Sequence, residues 1–238
     1  MAVAIVAVLP ASLIGRFLPP QVRGEDFSGS FLHGAAGKFT VNARDAGAIE
    51  WQIHPLALLR LAAIADIHWV KVSFVIDGTV ELDRTGATAR DVRGGGPIDN
   101  LRDLGVAAGW RGTAALNIAE VKTDFARLQS IQGKIEADNL SSDRIADGSG
   151  IGNYVLLFGE GAVAADGSLT AGLNDAGGPL EVQAQIRFSP ATRLGTLSGT
   201  LKERPEASPA LRNQLGGLAQ LRARDSAGRF PIELEFSF

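Results

Sequence analysis

The chain contains no cysteine among its 238 residues, and only three histidines, His33, His54 and His68. Without cysteine there are no disulfides, thiolate nucleophiles or cysteine metal sites. The histidines are far apart in the sequence, so they would form a metal site only if folding gathered them. A Walker loop, a His-Glu-x-x-His motif and a Gly-x-Ser-x-Gly elbow are also missing. We therefore expect a protein that is not an enzyme, with no catalytic, cofactor-binding or metal-ligating residues.

The chain also lacks a strong charge of either sign. Its 23 basic and 26 acidic residues give a net charge of −3, and the basic residues are scattered. Nucleic-acid binding requires a clustered basic surface, so we do not expect that partner. The 45% hydrophobic content is ordinary for a folded protein of this length.

Alternating apolar and polar residues, separated by glycine-rich turns, occupy most of the chain. The alternation is strictest at residues 180–188 and in the last nine residues. Such a period of two predicts β-strands with one packed face. Short helices are predicted at residues 55–65, 98–105 and 211–218, and Asp77-Gly78 predicts a hairpin turn.

The strand pattern occurs twice. Residues 36–55 resemble residues 166–190, and three later pieces also correspond in order. This repetition predicts a mainly β fold, a long curved antiparallel sheet built from two similar meander units with a few short covering helices. The predicted units are residues 21–138 and 139–238, and the polar, glycine-rich residues 139–152 mark their boundary.

The N-terminal segment is apolar or small throughout residues 2–14, and Pro19-Pro20 ends any helix there. A membrane-spanning helix needs roughly 20 apolar residues, so this run is short. Three interpretations are open: a shortened membrane anchor over residues 1–20, the apolar part of a signal peptide, or a buried segment. We favour the anchor, which places the rest of the chain outside the cytoplasm.

Large aromatic residues are the candidates for contact with a partner or a lipid. Tryptophan is enriched at binding hot spots, although packing in the core is the commoner use of these residues. The candidates are Trp51, Trp69, Trp110, Phe236 and Phe238.

Several short motifs together resemble the general secretion pathway protein N family, the N component of bacterial type II secretion systems. They are Gly34-Ala-Ala-Gly-Lys-Phe39 with Ile49-Glu-Trp51, Asp77-Gly-Thr-Val80, the leucine-spaced residues 101–105, Gly152-Asn-Tyr-Val-Leu156, Asp166-Gly-Ser-Leu169, and Leu215-Gly-Gly-Leu218 with the closing strand. The resemblance extends over nearly the whole chain and includes the apolar N-terminus.

This resemblance implies a protein of the bacterial inner membrane, with a single N-terminal span and a β-rich periplasmic domain. It implies a scaffold or coupling role in exporting folded proteins across the outer membrane. The expected partners are inner-membrane platform proteins or the outer-membrane secretin, and no cofactor is expected. The alternative is a periplasmic protein that binds or transfers lipid in a β-groove.

Overall fold

A computed structural model of the chain describes residues 9–16, 18, 20–58, 62–104, 106–143, 145–219 and 224–237. In this part of the chain, thirteen strands form one sheet in which each strand pairs antiparallel with the next strand in sequence. The predicted mainly β fold with one long antiparallel sheet is confirmed. The strands are β1 Val22–Gly29, β2 His33–Val41, β3 Arg44–Ile53, β4 Ala63–Lys71, β5 Phe74–Leu82, β6 Ala87–Pro97, β7 Trp110–Thr123, β8 Leu128–Ser142, β9 Ile145–Phe158, β10 Leu169–Gly177, β11 Leu180–Ser189, β12 Leu194–Glu203 and β13 Phe230–Ser237.

Short helices lie between the strands. The described residues contain 3₁₀ helices at Ala11–Arg16 and Ile98–Leu104, and α-helices at Pro55–Leu58 and Pro209–Ala219. The helix predicted over residues 55–65 is wrong in its second half. Ala63 and Ala65 belong to β4, where they pair with Leu82 and Val80 of β5. A short apolar run is compatible with either a helix or a strand. Here the pairing of these residues with β5 places them in a strand.

The turn predicted at Asp77-Gly78 is also wrong, because both residues lie inside β5. The chain turns at Val72-Ser73 instead, and nine consecutive residue pairs then join β4 to β5. Asp77 lies opposite His68, and its Oδ1 is 2.6 Å from His68 Nδ1. A turn at Asp77 would break this ladder.

The segment at residues 139–152, predicted as a boundary, continues β8 and β9. Leu140 pairs with Gly152 across these strands, with register shifts on either side. The sheet therefore runs through this segment, and the division into two repeated units stays a prediction.

The N-terminal segment packs against the start of the sheet as far as it is described. Ala11 is 2% exposed, and the Phe31 amide donates a 2.7 Å hydrogen bond to the Leu9 carbonyl. In the described residues, no helix is both long enough and apolar enough to span a membrane. The predicted anchor is not supported there, and the interpretation of a buried segment fits Ala11. Residues 1–8 lie outside the described residues.

One face of the sheet is apolar across its whole width. Residues that lie directly opposite each other in neighbouring strands share a face, so the pairing register traces a single row. Every position of the central row is apolar or glycine. The row is Phe27, Ala36, Ile49, Trp69, Ile76, Gly94, Leu116, Ile135, Leu156, Leu173, Ala184, Gly199 and Ile232.

The opposite face is mostly polar. Its adjacent row runs Ser28, Ala35, Glu50, His68, Asp77, Arg93, Asn117, Lys134, Leu157, Gly172, Gln185, Ser198 and Glu233. The sheet is thus amphipathic, and its apolar face is the one that must be shielded from water.

Bulky side chains and 3₁₀ helices cover the apolar face at the N-terminal end of the sheet. Trp51 is 6% exposed and packs edge-on against Phe27 with ring centroids 6.3 Å apart. Gly34 makes room for this packing, since a Cβ there would lie 2.7 Å from the Trp51 ring and 2.9 Å from Ala11 Cβ. Trp69 and Phe74 form a similar pair at 6.0 Å.

A buried lysine holds the second 3₁₀ helix in place. The Lys71 side chain is 4% exposed, and its Nζ lies 3.2 Å from a carboxylate oxygen of both Asp45 and Asp103. Burial lowers the pKa of Lys71, but the hydrogen bonds to these carboxylates outweigh it, so the pKa lies above its ordinary value. Lys71 therefore stays charged and ties Ile98–Leu104 to β3.

We expect the Phe74→Ala substitution to lower the free energy of unfolding by about 3–5 kcal/mol, because Phe74 is 1% exposed and its removal leaves a cavity. Phe125→Ala is the matched control. Phe125 is 63% exposed in the β7–β8 turn, so the change should stay within about 0.5 kcal/mol. Urea denaturation of both variants measures the difference. Equal losses would contradict the assignment of Phe74 to the core.

Candidate apolar binding site

The C-terminal half of the apolar face encloses a cavity of about 610 Å³. Pockets of roughly 300–1,000 Å³ hold small organic ligands. The lining is almost wholly apolar, with Glu233 as its one charged residue. It comprises Trp110, Ile135, Ala137, Leu140, Ile151, Tyr154, Leu156, Leu173, Val182, Ile186, Leu197, Leu201, Phe230, Pro231, Ile232, Glu233 and Leu234.

Seven strands contribute to the lining of this cavity. The lining residues come from β7 through β13, and seven flat neighbouring strands would extend over ~29 Å at the usual spacing. Trp110 of β7 and Ile232 of β13 nevertheless border the same space and pack against one cluster. Residues from all seven strands therefore contribute to one site, and the curvature itself stays a prediction.

The helix Pro209–Ala219 packs against a cluster of residues that includes part of the cavity lining. Ser208 begins it as the N-cap, since its Oγ accepts a 3.2 Å hydrogen bond from the Leu211 amide, and Pro209 occupies the first helical position. Leu211 and Leu215 are 1% and 6% exposed and pack in one cluster with Ile151. A second cluster of Ile118, Phe158, Ala162 and Ala171 fills the space between the strands.

Two polar groups close to the cavity have partners within the chain. The Tyr154 hydroxyl donates a 2.7 Å hydrogen bond to the Ile151 carbonyl, and burial raises the pKa of Tyr154 to about 12. The phenol is therefore neutral at physiological pH. Nearby, Arg204 pairs with Asp175. The lining thus offers apolar contact, and we see no arrangement in it that would transfer a proton or a group.

The cavity opens along the edge strand β13. Phe230, at the start of this strand, is 2% exposed, whereas Leu234 and Phe236 on the same face are 58% and 39% exposed. Apolar surface is therefore continuous from the cavity interior to the free edge of the sheet.

The five aromatic candidates are not brought together. Trp51 donates a 3.0 Å hydrogen bond to the Phe31 carbonyl, and Trp69 donates one to the Ala46 carbonyl. Both side chains therefore belong to the packed N-terminal end of the sheet. Trp110 lines the cavity. Phe236 does not line it and lies edge-on to Phe188 with ring centroids 5.9 Å apart, and Phe238 is outside the described residues. A role of these residues in partner or lipid contact stays a prediction.

The polar face carries two histidine–carboxylate pairs. His54 Nε2 lies 2.7 Å from Asp66, and His68 Nδ1 lies 2.6 Å from Asp77. The hydrogen bond from His54 holds the pKa of Asp66 below its ordinary value. In the described ranges, no three histidine or acidic side chains are placed to hold a metal. The pairs join neighbouring strands across the solvent face.

Sequence reasoning missed most of the cavity lining. Tyr154, Leu156 and Leu173 stood in predicted strands, and their alternation indicated an apolar face. What the sequence does not supply is the pairing register that places residues of seven strands around one space. The signals that pointed here were the strict alternation of residues 180–188 and of the last nine residues, together with the candidate Trp110.

Adjacent residues of β9 give a test of the cavity. Leu156 lines it, whereas Leu157 is 44% exposed on the polar face. We expect the chain to bind the neutral dye N-phenyl-1-naphthylamine, and Leu156→Trp to weaken binding at least about fivefold because the indole occupies apolar space. Leu157→Trp should leave the affinity unchanged. Dye fluorescence titrations measure both, and equal effects would contradict the site.

Comparison with known families gives one match. The model of the family described as type II secretion system (T2SS), protein N, matches residues 20–233. No curated protein and no solved structure matches the chain. The match extends over nearly all of the thirteen-stranded sheet, including its first strand and half of its last. The chain therefore belongs to the type II secretion system protein N family.

Proposed function

We propose that this protein is a non-enzymatic scaffold or coupling component of a type II secretion system, acting in the export of folded proteins across the outer membrane. The family match over residues 20–233 is the observation that carries the proposal. The fold supports it, because a continuous open sheet with two edge strands offers backbone groups for strand addition.

We further propose that the sheet lies in the periplasm at the inner membrane, where its partners are inner-membrane platform proteins or the secretin. The family supports this location. A single N-terminal span stays part of the proposal, although residues 11–16 pack against the sheet. Protease treatment of spheroplasts tests the location, since a periplasmic sheet is cleaved while a cytoplasmic marker is protected.

Deleting the gene should reduce the exoproteins released into the medium and retain them in the periplasm, or lower the amount of assembled secretin. A coupling component is needed for the machine and not for synthesis of its cargo, so total exoprotein should not change. Immunoblots of medium, periplasm and outer membrane measure these amounts. Normal release together with normal secretin assembly would contradict the proposal.

Lipid binding is the second candidate function, and the cavity is the observation that favours it. Its volume of about 610 Å³ suits a single acyl chain better than a whole bilayer lipid, and its lining is apolar. The half-exposed Leu234 and Phe236 would let such a chain enter from the edge of the sheet.

If the cavity holds an acyl chain, the protein purified without detergent should retain lipid. Ile186→Trp should remove it by filling the lined space, whereas Gln185→Trp, on the polar face of the same strand, should not. Mass spectrometry of extracts from both variants measures retention. Absence of lipid from the unsubstituted protein would refute this second function.

A further inference from the structure

We propose that β13 is the docking edge of the sheet and that it receives a partner strand in which apolar and basic residues alternate. This inference rests on the proposed scaffold function and names the surface and the chemistry of its partner. It follows from three features: the regular backbone of β13, the obstructed opposite edge, and two glutamates.

The backbone of β13 is regular along its length. Eight consecutive residues, Phe230 to Ser237, pair with β12 without a register shift. Proline has no amide hydrogen, so Pro231 fits an edge strand only with that side of the backbone facing away from the neighbour. Because backbone direction alternates, Glu233 and Glu235 also turn their amide and carbonyl groups to the free edge. These groups are the ones that strand addition requires.

The other edge of the sheet is obstructed. In β1, Asp26 adopts a left-handed backbone conformation with φ of 55° and interrupts the ladder with β2. Directly after β1, Ser30 forms a bridge with Pro10, and the Phe31 amide is bonded to Leu9. Irregular backbone and covering segments are features that prevent strand addition. The two edges are therefore not equivalent.

The side chains of β13 define the partner. On the apolar face, Leu234 and Phe236 are exposed and would pack against apolar residues of an added strand. On the polar face, Glu233 and Glu235 are exposed, and neither forms an ion pair within the described part of the chain. Opposite charges in cross-strand positions stabilise a pair of strands. A strand that alternates apolar residues with lysine or arginine complements both faces.

The same charges disfavour a second copy of this chain. In the antiparallel register centred on Leu234, Glu233 of each copy lies opposite Glu235 of the other. Like charges directly opposite each other are destabilising. The glutamates thus discriminate against self-association while they favour a basic strand.

A photoreactive phenylalanine at Leu234, in the otherwise unchanged chain in cells, tests the docking edge. We expect an adduct with a secretion component, and we expect the crosslinked peptide to alternate apolar and basic residues. An adduct with a second copy, an adduct with lipid alone, or no adduct would overturn the proposal. A preferred adduct from the same probe at Phe27 of β1 would overturn it as well.

Two sets of substitutions test the contributions of the backbone and of the charges of β13 separately. E235P removes an outward amide without touching the β12 ladder, so it should abolish the adduct at position 234 while the melting temperature stays close to that of the parent. E233K/E235K should weaken binding of a short lysine–valine alternating peptide to the purified chain about tenfold and favour a glutamate–valine peptide. R23E on β1 is the matched control and should change neither result. An unchanged adduct in E235P, or equal binding of both peptides, would overturn the proposal.

Failure of this inference is distinguishable from failure of the scaffold function. If deletion leaves secretion normal, the scaffold function itself fails. If deletion impairs secretion and the E235P chain restores it fully, the scaffold function stands and only the assignment of β13 fails.

Discussion

The alternation of side chains across the thirteen strands is the constraint on which the rest of this structure depends. It collects apolar residues on one face, and the described residues contain no second sheet to cover that face. The apolar face is covered to a different extent in the two halves of the sheet. Trp51, Trp69 and Phe74 fill the N-terminal end together with the 3₁₀ helices, whereas a cavity remains between the strands at the C-terminal end. A covered region and a binding site therefore arise from one pattern.

Local pattern predicted the strands but not the space that they enclose. Residues 180–188 alternate strictly, so β11 and its apolar face were predictable from sequence alone. Asp77-Gly78 led to a wrong turn prediction, because a turn signal is read from adjacent residues alone. In the structure Asp77 pairs with His68 of β4 and Arg93 of β6, so both residues lie inside β5. Ala63 and Ala65 were predicted in a helix for the same reason. Their spacing suits a helix, and only their pairing with β5 shows that they belong to a strand. The cavity depends on register, which is a property of many strands together.

The sequential order of the strands also decides where the sheet can meet other molecules. In a meander the first and the last strand each pair with only one neighbour, so β1 and β13 are the edges of the described sheet. The two edges differ. Asp26 interrupts the pairing of β1, whereas β13 pairs with β12 in an unbroken register. Because the chain belongs to a secretion family, this asymmetry indicates which of the two edges is better suited to strand addition.

The cavity mouth and the docking edge share residues, and this has a thermodynamic consequence. Leu234 lines the cavity and belongs to β13, where Phe236 lies exposed on the same face. An added strand would cover both side chains and extend the apolar face by one more row. If an apolar ligand in the cavity contacts that new row, each would bind more tightly in the presence of the other by the same factor. Lipid occupancy and scaffold function would then be coupled properties of one edge strand, and a change of partner affinity on filling the cavity would follow from the geometry alone.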